Sequence, residues 1–287
     1  VAAYDSIAIV GVGLIGGSIG LAVRERKLAR EVIGIGRRES SLYGARLIGA
    51  IDRGTTDLNE GVAAAELIIV CTPVDTIAET VLLAAGACRP NTLITDAGST
   101  KETIVTTIDA ALSARRAGSP FVGSHPLAGD HRGGAEHARP DLFDGRTVVI
   151  TPTEATRTAA VVEISGFWQS LGARVTTMSP AEHDIALAAT SHLPHLVASA
   201  LAAATPEKWL PLAASGWRDT TRVAAGDPAL WQPIFATNRQ QVLLALDRFL
   251  DKVTAVRESL DRADDRQLHR ILEQAKSLKR ARDALGD

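Results

Sequence analysis

Apolar residues in this chain keep two rhythms, one before residue 178 and one after it. In the first stretch, short aliphatic and β-branched runs such as Ile-Ala-Ile-Val at 7–10 and Leu-Ile-Ile-Val at 67–70 alternate with longer segments of helical period. That alternation predicts strands over 6–10, 31–35, 66–71, 92–95, 121–123, 147–150 and 174–177, and helices over 18–26, 76–87, 101–114 and 155–171. Strands that are apolar at consecutive positions are covered on both faces, so the predicted fold class is α/β, a Rossmann-like, mostly parallel sheet flanked by helices. From Ser179 the strand pattern stops. Ser179-Pro180-Ala181-Glu182 supplies an N-cap, a first-turn proline and an early acid, which predicts a long helix starting there. Further helices are expected over 210–214, 233–259 and 264–285, so an all-helical C-terminal domain over 179–287 should follow an α/β domain over 1–178. The charged last segment, 262–287, is expected to be a solvated or partner-facing surface.

Composition narrows the functional classes. The 287 residues are 46% hydrophobic and 22% charged, which excludes a disordered or collagenous chain. Thirty-one basic and 33 acidic residues nearly cancel, giving no electrostatic reason to expect nucleic acid or an anionic membrane as partner. Two cysteines, Cys71 and Cys88, cannot build a disulfide framework, and a reducing cytoplasm is the expected location. Two uncharged or apolar stretches imitate membrane signals. Residues 8–23 are too short and glycine-rich to span, and 185–204 carries His192, Pro194 and His195, so it is expected to be a buried core helix.

The first candidate chemistry is a nucleotide site. Gly11-Val12-Gly13-Leu14-Ile15-Gly16 follows a predicted strand and opens a predicted helix, the context in which Gly-x-Gly-x-x-Gly binds a dinucleotide. Gly11 should make the tight turn and Gly13 admit the pyrophosphate. Gly16 should let the helix pack on the strand, and Leu14 and Ile15 open the helix that faces the anion. The second strand ends Gly36-Arg37-Arg38 where an NAD-selective site carries a carboxylate. Arginines there can pair with a 2′-phosphate, which favours NADP; if both are merely solvated, NAD serves instead. Three further segments fall at predicted strand ends, where open parallel sheets bind ligands: Cys71-Thr72-Pro73, Asp96-Ala97-Gly98-Ser99-Thr100-Lys101 and Ser124-His125-Pro126-Leu127-Ala128-Gly129. Thr72, Pro73 and Ser99 are expected beside the cofactor. His125 taken alone is either a structural hydrogen bonder or an acid or base usable near neutrality.

In combination these segments resemble the prephenate and arogenate dehydrogenase family of tyrosine biosynthesis. The resemblance also draws on Ser-His-Leu-Pro-His at 191–195 and Arg-Asp-Thr-Thr-Arg-Val-Ala at 218–224, followed by Asp227-Pro228 and Trp231, and it covers nearly the whole chain. It implies a nucleotide domain over 1–178, a helical substrate and dimerisation domain over 179–287, and a homodimer formed through the C-terminal helices. It further implies an oxidative decarboxylation with hydride transfer to NADP or NAD. By the same resemblance, His125 accepts a hydrogen bond from the substrate hydroxyl, Ser99 stands between substrate and nicotinamide, and Arg222 grips a substrate carboxylate.

Other residues are placed less directly. His192 is expected to touch substrate or close the domain interface, His195 to be a satisfied core histidine, and Trp231 to pack or to wall the pocket. No third ligand accompanies His192 and His195, so no metal is expected. Where many relatives follow the His-Pro-Leu-Ala-Gly motif with a small residue and then glutamate, this chain has Asp130-His131-Arg132. By the resemblance that segment borders the substrate side chain: Asp130 would favour the ammonium of arogenate, and His131 or Arg132 the more anionic prephenate. Prephenate is the expected substrate. With the sequence ending at Asp287, the ligand-sensing domain appended in some relatives is expected to be absent. The rivals are a β-hydroxyacid dehydrogenase, whose interdomain lysine has no counterpart over 185–204, and a non-catalytic NADP sensor.

Overall fold

The computed structural model describes residues 3–112, 119–129 and 132–284. Its centre is an eight-stranded sheet built from β1 (Tyr4–Val10), β2 (Ala29–Ile35), β3 (Arg53–Thr55), β4 (Leu67–Val70), β5 (Leu93–Asp96), β6 (Phe121–Pro126), β7 (Thr147–Thr151) and β8 (Arg174–Thr177). The strand order is β3-β2-β1-β4-β5-β6-β7-β8. Every pair is parallel except β6 with β7, where Gly123 faces Thr151 and His125 faces Val149. The order reverses direction between β1 and β4, which opens a crevice above the carboxyl ends of these two strands. Helices α1 (Leu14–Glu25), α2 (Glu39–Leu47), α3 (Leu58–Val62), α4 (Val74–Ala87), α5 (Glu102–Leu112) and α6 (Thr158–Ser170) connect the strands.

The sheet is covered on both faces because successive side chains point to opposite sides. Ile7 and Ile9 join Val32, Phe143 and Trp168 in one core, while Ala8 and Val10 join Ile33, Ile68, Ile77 and Phe121 in the other. All seven predicted strands are present. The strand missed by pattern, β3, is a three-residue Arg-Gly-Thr edge with no apolar residue to betray it. Two short helices were also not predicted. In α2 only Leu42 and Ala45 are buried, and α3 spans five residues held by the Asp57 side chain, which accepts from the backbone N–H of Asn59 at 2.9 Å.

Beyond β8 the described chain is helical: α7 (Pro180–Leu187), a π turn (Ala188–His192), α8 (Leu193–Ala204), α9 (Ser215–Thr221), α10 (Pro228–Thr237), α11 (Arg239–Asp261) and α12 (Asp265–Ala284). The capping box at Ser179 and Glu182 forms as the sequence implies. Three expectations change. The helix predicted over 210–214 is a 3-10 turn, Glu207–Leu212, since Pro206 and Pro211 leave no room for α pairing. The helix predicted over 233–259 breaks at Asn238, whose amide is drawn inward to Asp184 and His192. The expected core helix over 185–204 is buried along one face only. The run Pro180–Ala204 is long and apolar enough, by length and composition, to cross a membrane; its most apolar 18-residue window has mean hydropathy 1.4, 28% of that window is buried, and Ile185 and Leu201 are exposed.

Val1–Arg239 form one compact unit and Gln240–Asp287 another; the helices α7 to α10, which follow β8, belong to the first. α7 packs on α5, and α10 on α4.

Two glycines test the packing of the nucleotide unit. A Cβ at Gly20 would lie 2.1 Å from the Ala50 carbonyl oxygen, whereas one at Gly86 would meet nothing within 4 Å. Gly20→Ala should therefore lower the unfolding free energy by about 1–3 kcal/mol, because backbone must move. Gly86→Ala, inside α4, should raise it by about 0.5–1 kcal/mol. Urea melts of the two variants read both signs.

Candidate active site

The glycine loop folds as its sequence demands. Gly11 has φ +94°, and a Cβ there would sit 2.7 Å from the Cys71 carbonyl oxygen, so only glycine fits between the ends of β1 and β4. A Cβ at Gly16 would fall 2.1 Å from the Gly11 carbonyl oxygen, which sets how closely α1 approaches the turn. Gly13 is different: nothing lies within 4 Å of the Cβ it lacks, and it caps an α1 that has no side-chain cap. Open space, free first-turn N–H groups and the positive end of a helix dipole make this a cradle for an anion. Leu14 and Ile15 form the first turn, packed against the core below.

The cradle's walls match the sequence reading in part. Thr72 follows β4, and its Oγ1 is buried with no hydrogen-bond partner, an orphan that a ligand could satisfy. Pro73 caps α4. Arg37 and Arg38 are exposed just after β2, and no ion pair engages either among the described residues. Arg38 caps α2 through backbone alone. A dinucleotide therefore has a turn, a helix terminus and two free guanidinium groups to meet.

The loop after β5 is shaped by one buried ion pair. Asp96 and Lys101 pair with no solvent exposure on either side chain. Asp96 also accepts from the backbone N–H of Gly98 at 2.9 Å and of Ser124 at 3.0 Å, so one carboxylate joins the β5 loop to β6. Ser99 is half-buried at the tip of this loop. Beside Ser124, His125 closes β6.

His125 is buried, and its Nδ1 is 2.9 Å from Nε2 of His183. His183 Nδ1 is in turn 2.7 Å from Asp184 Oδ1. That carboxylate accepts the backbone N–H of Lys101 at 2.8 Å and of Glu102 at 2.9 Å. Burial, with His183, Lys101 and His192 nearby, holds the pKa of His125 well below 6.5, so its ring is neutral at physiological pH. Among the described residues no hydrogen bond engages its Nε2, which leaves that atom for a ligand.

A second imidazole faces the same helix surface. His192, in the π turn, is buried, and burial pulls its pKa down to about 4. Asn238 Nδ2 donates to the Asp184 carbonyl at 2.8 Å and lies 3.2 Å from His192 Nδ1, which must accept. A neutral ring that accepts at Nδ1 carries its proton on Nε2. His192 is therefore a donor at its outer nitrogen.

His195 was expected to be a satisfied core residue, and it is not. Its ring stacks on Trp231 at 3.7 Å, but its buried Nδ1 has no partner. Gly226 permits the stack: a Cβ there would meet Trp231 Nε1 at 2.6 Å and His195 Cε1 at 2.8 Å. Arg222 is exposed at the end of α9 and lines an open groove of about 380 Å³ with Ala202, Trp217, Arg218 and Thr221. Neither His125 nor Ser99 lines that groove. Asp130 and His131 lie outside the described residues.

His183, Asp184 and Asn238 were missed as site residues. A signal for the first two existed: Pro180, His183, Asp184, Leu187, Ala188, His192, His195 and Ala198 share one helical stripe, and it is the buried one. Polar residues on the buried face of an otherwise apolar helix need partners, and for His183 and Asp184 those partners are each other, His125 on β6 and the start of α5.

Comparison with known proteins agrees with this geometry. Residues 19–177 match the family model for the prephenate dehydrogenase nucleotide-binding domain, and residues 179–274 that for the prephenate dehydrogenase dimerization domain. The chain is 35% identical over 279 residues to a prephenate dehydrogenase of Bacillus subtilis, covering 95% of this chain and 74% of that one. It superposes with a TM-score of 0.88 at 31% identity on a prephenate dehydrogenase from A. aeolicus in complex with hydroxyphenyl propionate and NAD+, covering 97% of this chain and 98% of that one. An arogenate dehydrogenase from Synechocystis follows with a TM-score of 0.81 at 30% identity, covering 96% and 99%. A glycine cradle at the switch point, a neutral histidine at the end of β6 and two domain matches spanning the chain place it in the prephenate dehydrogenase family of NAD(P)-dependent oxidoreductases.

Proposed function

We propose that this chain oxidatively decarboxylates prephenate to 4-hydroxyphenylpyruvate, with arogenate as the alternative substrate. The observation that carries this reading is His125: a buried, neutral imidazole at a strand end, held through Nδ1, with Nε2 left to accept a proton. A nicotinamide held at the glycine cradle would supply the acceptor for the hydride of the ring carbon. Nε2 of His125 takes the hydroxyl proton as that carbon is oxidised and returns it to the oxygen when the ring becomes a phenol, and Ser99, half-buried on the neighbouring loop, orients that hydroxyl. The ring carboxylate leaves as carbon dioxide while the ring becomes aromatic, so positioning matters more here than strong acid catalysis.

Arg222 is assigned to a substrate carboxylate, where its fork supplies two parallel bonds. Its turn abuts Gly226, which contacts His195 on the helix that also carries His192. His192 offers a donor to the substrate, Trp231 forms the wall stacked on His195, and Asp130 and His131 border the substrate side chain. Gly11, Gly13, Leu14, Ile15 and Gly16 hold the pyrophosphate, with Thr72 and Pro73 alongside. Arg37 and Arg38 select NADP over NAD. We assign residues 1–178 to the nucleotide domain and 179–287 to a helical substrate and homodimer domain, the latter supported by exposed Leu243, Leu250, Leu260 and Leu272 on α11 and α12. A cytoplasmic location, with neither nucleic acid nor membrane as partner, suits a soluble biosynthetic enzyme. A β-hydroxyacid dehydrogenase is disfavoured, since α7 and α8 contain no lysine.

Three measurements test this reading. Reduction of cofactor, followed by absorbance with prephenate or arogenate and each of NADP and NAD, should give the highest kcat/KM for prephenate with NADP. A preference for arogenate reassigns the substrate, a preference for NAD removes Arg37 and Arg38 from the specificity site, and no reduction with either substrate defeats the proposal. The lowered pKa means that His125 is deprotonated, and competent, through pH 6.5 and below. The acid limb of kcat/KM should therefore fall below pH 6.5, and His125→Ala should cost about 10² to 10⁴ in kcat. Arg222→Ala should chiefly raise KM for the substrate, by the factor a charge-assisted bond of about 1.5–3 kcal/mol sets, and an unchanged KM removes it from the pocket.

A further inference from the structure

The chain of contacts behind His125 fixes more than its position. Ionised, Asp184 can only accept, and its two oxygens already receive the N–H groups of Lys101 and Glu102. The His183 nitrogen 2.7 Å from Oδ1 must therefore carry a proton, because a bare lone pair there would face a carboxylate lone pair inside the protein. If the His183 ring is neutral, its other nitrogen, Nε2, then has no proton and can only accept. The atom 2.9 Å away, His125 Nδ1, must donate, which leaves the His125 lone pair on Nε2. The competing arrangement is a His183 imidazolium that donates at both ends. It would make His125 accept at Nδ1 and turn Nε2 into a donor, useless for removing a hydroxyl proton. A cation at His183 is opposed by its burial and by the Lys101 ammonium close by, and favoured only by Asp184 and Asp96, of which Asp184 is shared with two backbone donors and Asp96 is paired with Lys101.

We propose that His183 and Asp184 are positioning residues that set the tautomer of His125, holding a proton on its Nδ1 so that Nε2 presents a lone pair to the substrate hydroxyl. The inference deepens the functional reading above and rests on it only for the identity of that substrate. When His125 takes the hydroxyl proton on Nε2, Nδ1–H remains in place and the new imidazolium gains from its bond to His183, whose Nδ1–H is anchored on Asp184. Three groups in line behave as one oriented acceptor, with no proton passing beyond His125.

The direct test is nitrogen-15 NMR of the full-length protein labelled at histidine, with His125→Asn used to assign the ring. The expected result at neutral pH is His125 protonated on Nδ1 and His183 likewise, with His183→Leu releasing His125 into a mixture of tautomers. Protonation of His125 on Nε2, or a tautomer unmoved by His183→Leu, overturns the inference, and neither observation depends on which substrate the enzyme uses. Kinetics supply the second arm. His183→Leu should lower kcat by about 10- to 100-fold with the KM of substrate and cofactor little changed. His183→Gln, whose amide oxygen can still accept from Nδ1, should recover much of the loss. Equal losses for Leu and Gln, or a loss confined to KM, would show that His183 merely fills space. If the leucine variant does not fold, the wild-type tautomer and the glutamine variant still decide the matter. Absence of activity with every dicarboxylate cyclohexadiene, alongside the expected tautomer, would overturn the substrate and leave the positioning intact.

Discussion

The carboxylate of Asp184 receives two backbone N–H groups at the start of α5 and one imidazole N–H from its own helix. The first two are donors that a helix cannot satisfy internally, so α5 takes its N-terminal cap from a residue more than eighty positions later in the chain. That bond fixes α7 against the loop following β5, and through His183 it fixes the ring at the end of β6. Sheet, loop and helix are thereby registered to one another by a single group. Removing that carboxylate would leave buried donors unpaired in two elements at once, which is more costly than losing one surface contact.

A second buried anion works in the same neighbourhood with a different purpose. Asp96 is paired with Lys101, but it also accepts from Gly98 and Ser124, so it bends the β5 loop over the top of the sheet and ties that loop to β6. Buried ion pairs seldom stabilise a fold more than well-packed apolar residues would. Here the pair carries geometry: it places Ser99 and His125 on adjoining loops at the carboxyl edge, where the ends of β1 and β4 also open the glycine cradle. A nicotinamide and a small cyclic acid could be served from that one edge.

The sheet was readable from the amino-acid order because parallel strands covered on both sides leave unbroken aliphatic runs, as at Ile7 and Ile68, and the cradle was readable because Gly11 and Gly16 have no substitute in such a turn. His125 stood out by standing at a strand end beside proline. What stayed hidden depended on distant partners. His183 and Asp184 read as the first turn of a capped helix, since Ser179 and Glu182 explain that segment without them. Their burial becomes visible only when α7 lies against α5. Arg222 shows the opposite difficulty. Its motif is plain, yet its place relative to His125 depends on how five short helices and turns are stacked, and no local pattern encodes that. Asn238 was obscured because a long helical period ran straight through it, while the fold breaks the helix there to turn an amide inward.

The π turn at Ala188–His192 has a bearing on how this protein can vary. Eight positions separate Asp184 from His192, and in a regular α-helix they would sit about 80° apart around the axis. Yet one amide, that of Asn238, reaches both the Asp184 carbonyl and the His192 ring. The wider turn takes up the surplus rotation and brings the two into line. Residue type along the outer side of this segment can drift freely, while its length and its coiling are tied together: seven positions in a regular α-helix would leave the two about 20° apart, and the π turn lets a spacing of eight keep nearly the same alignment.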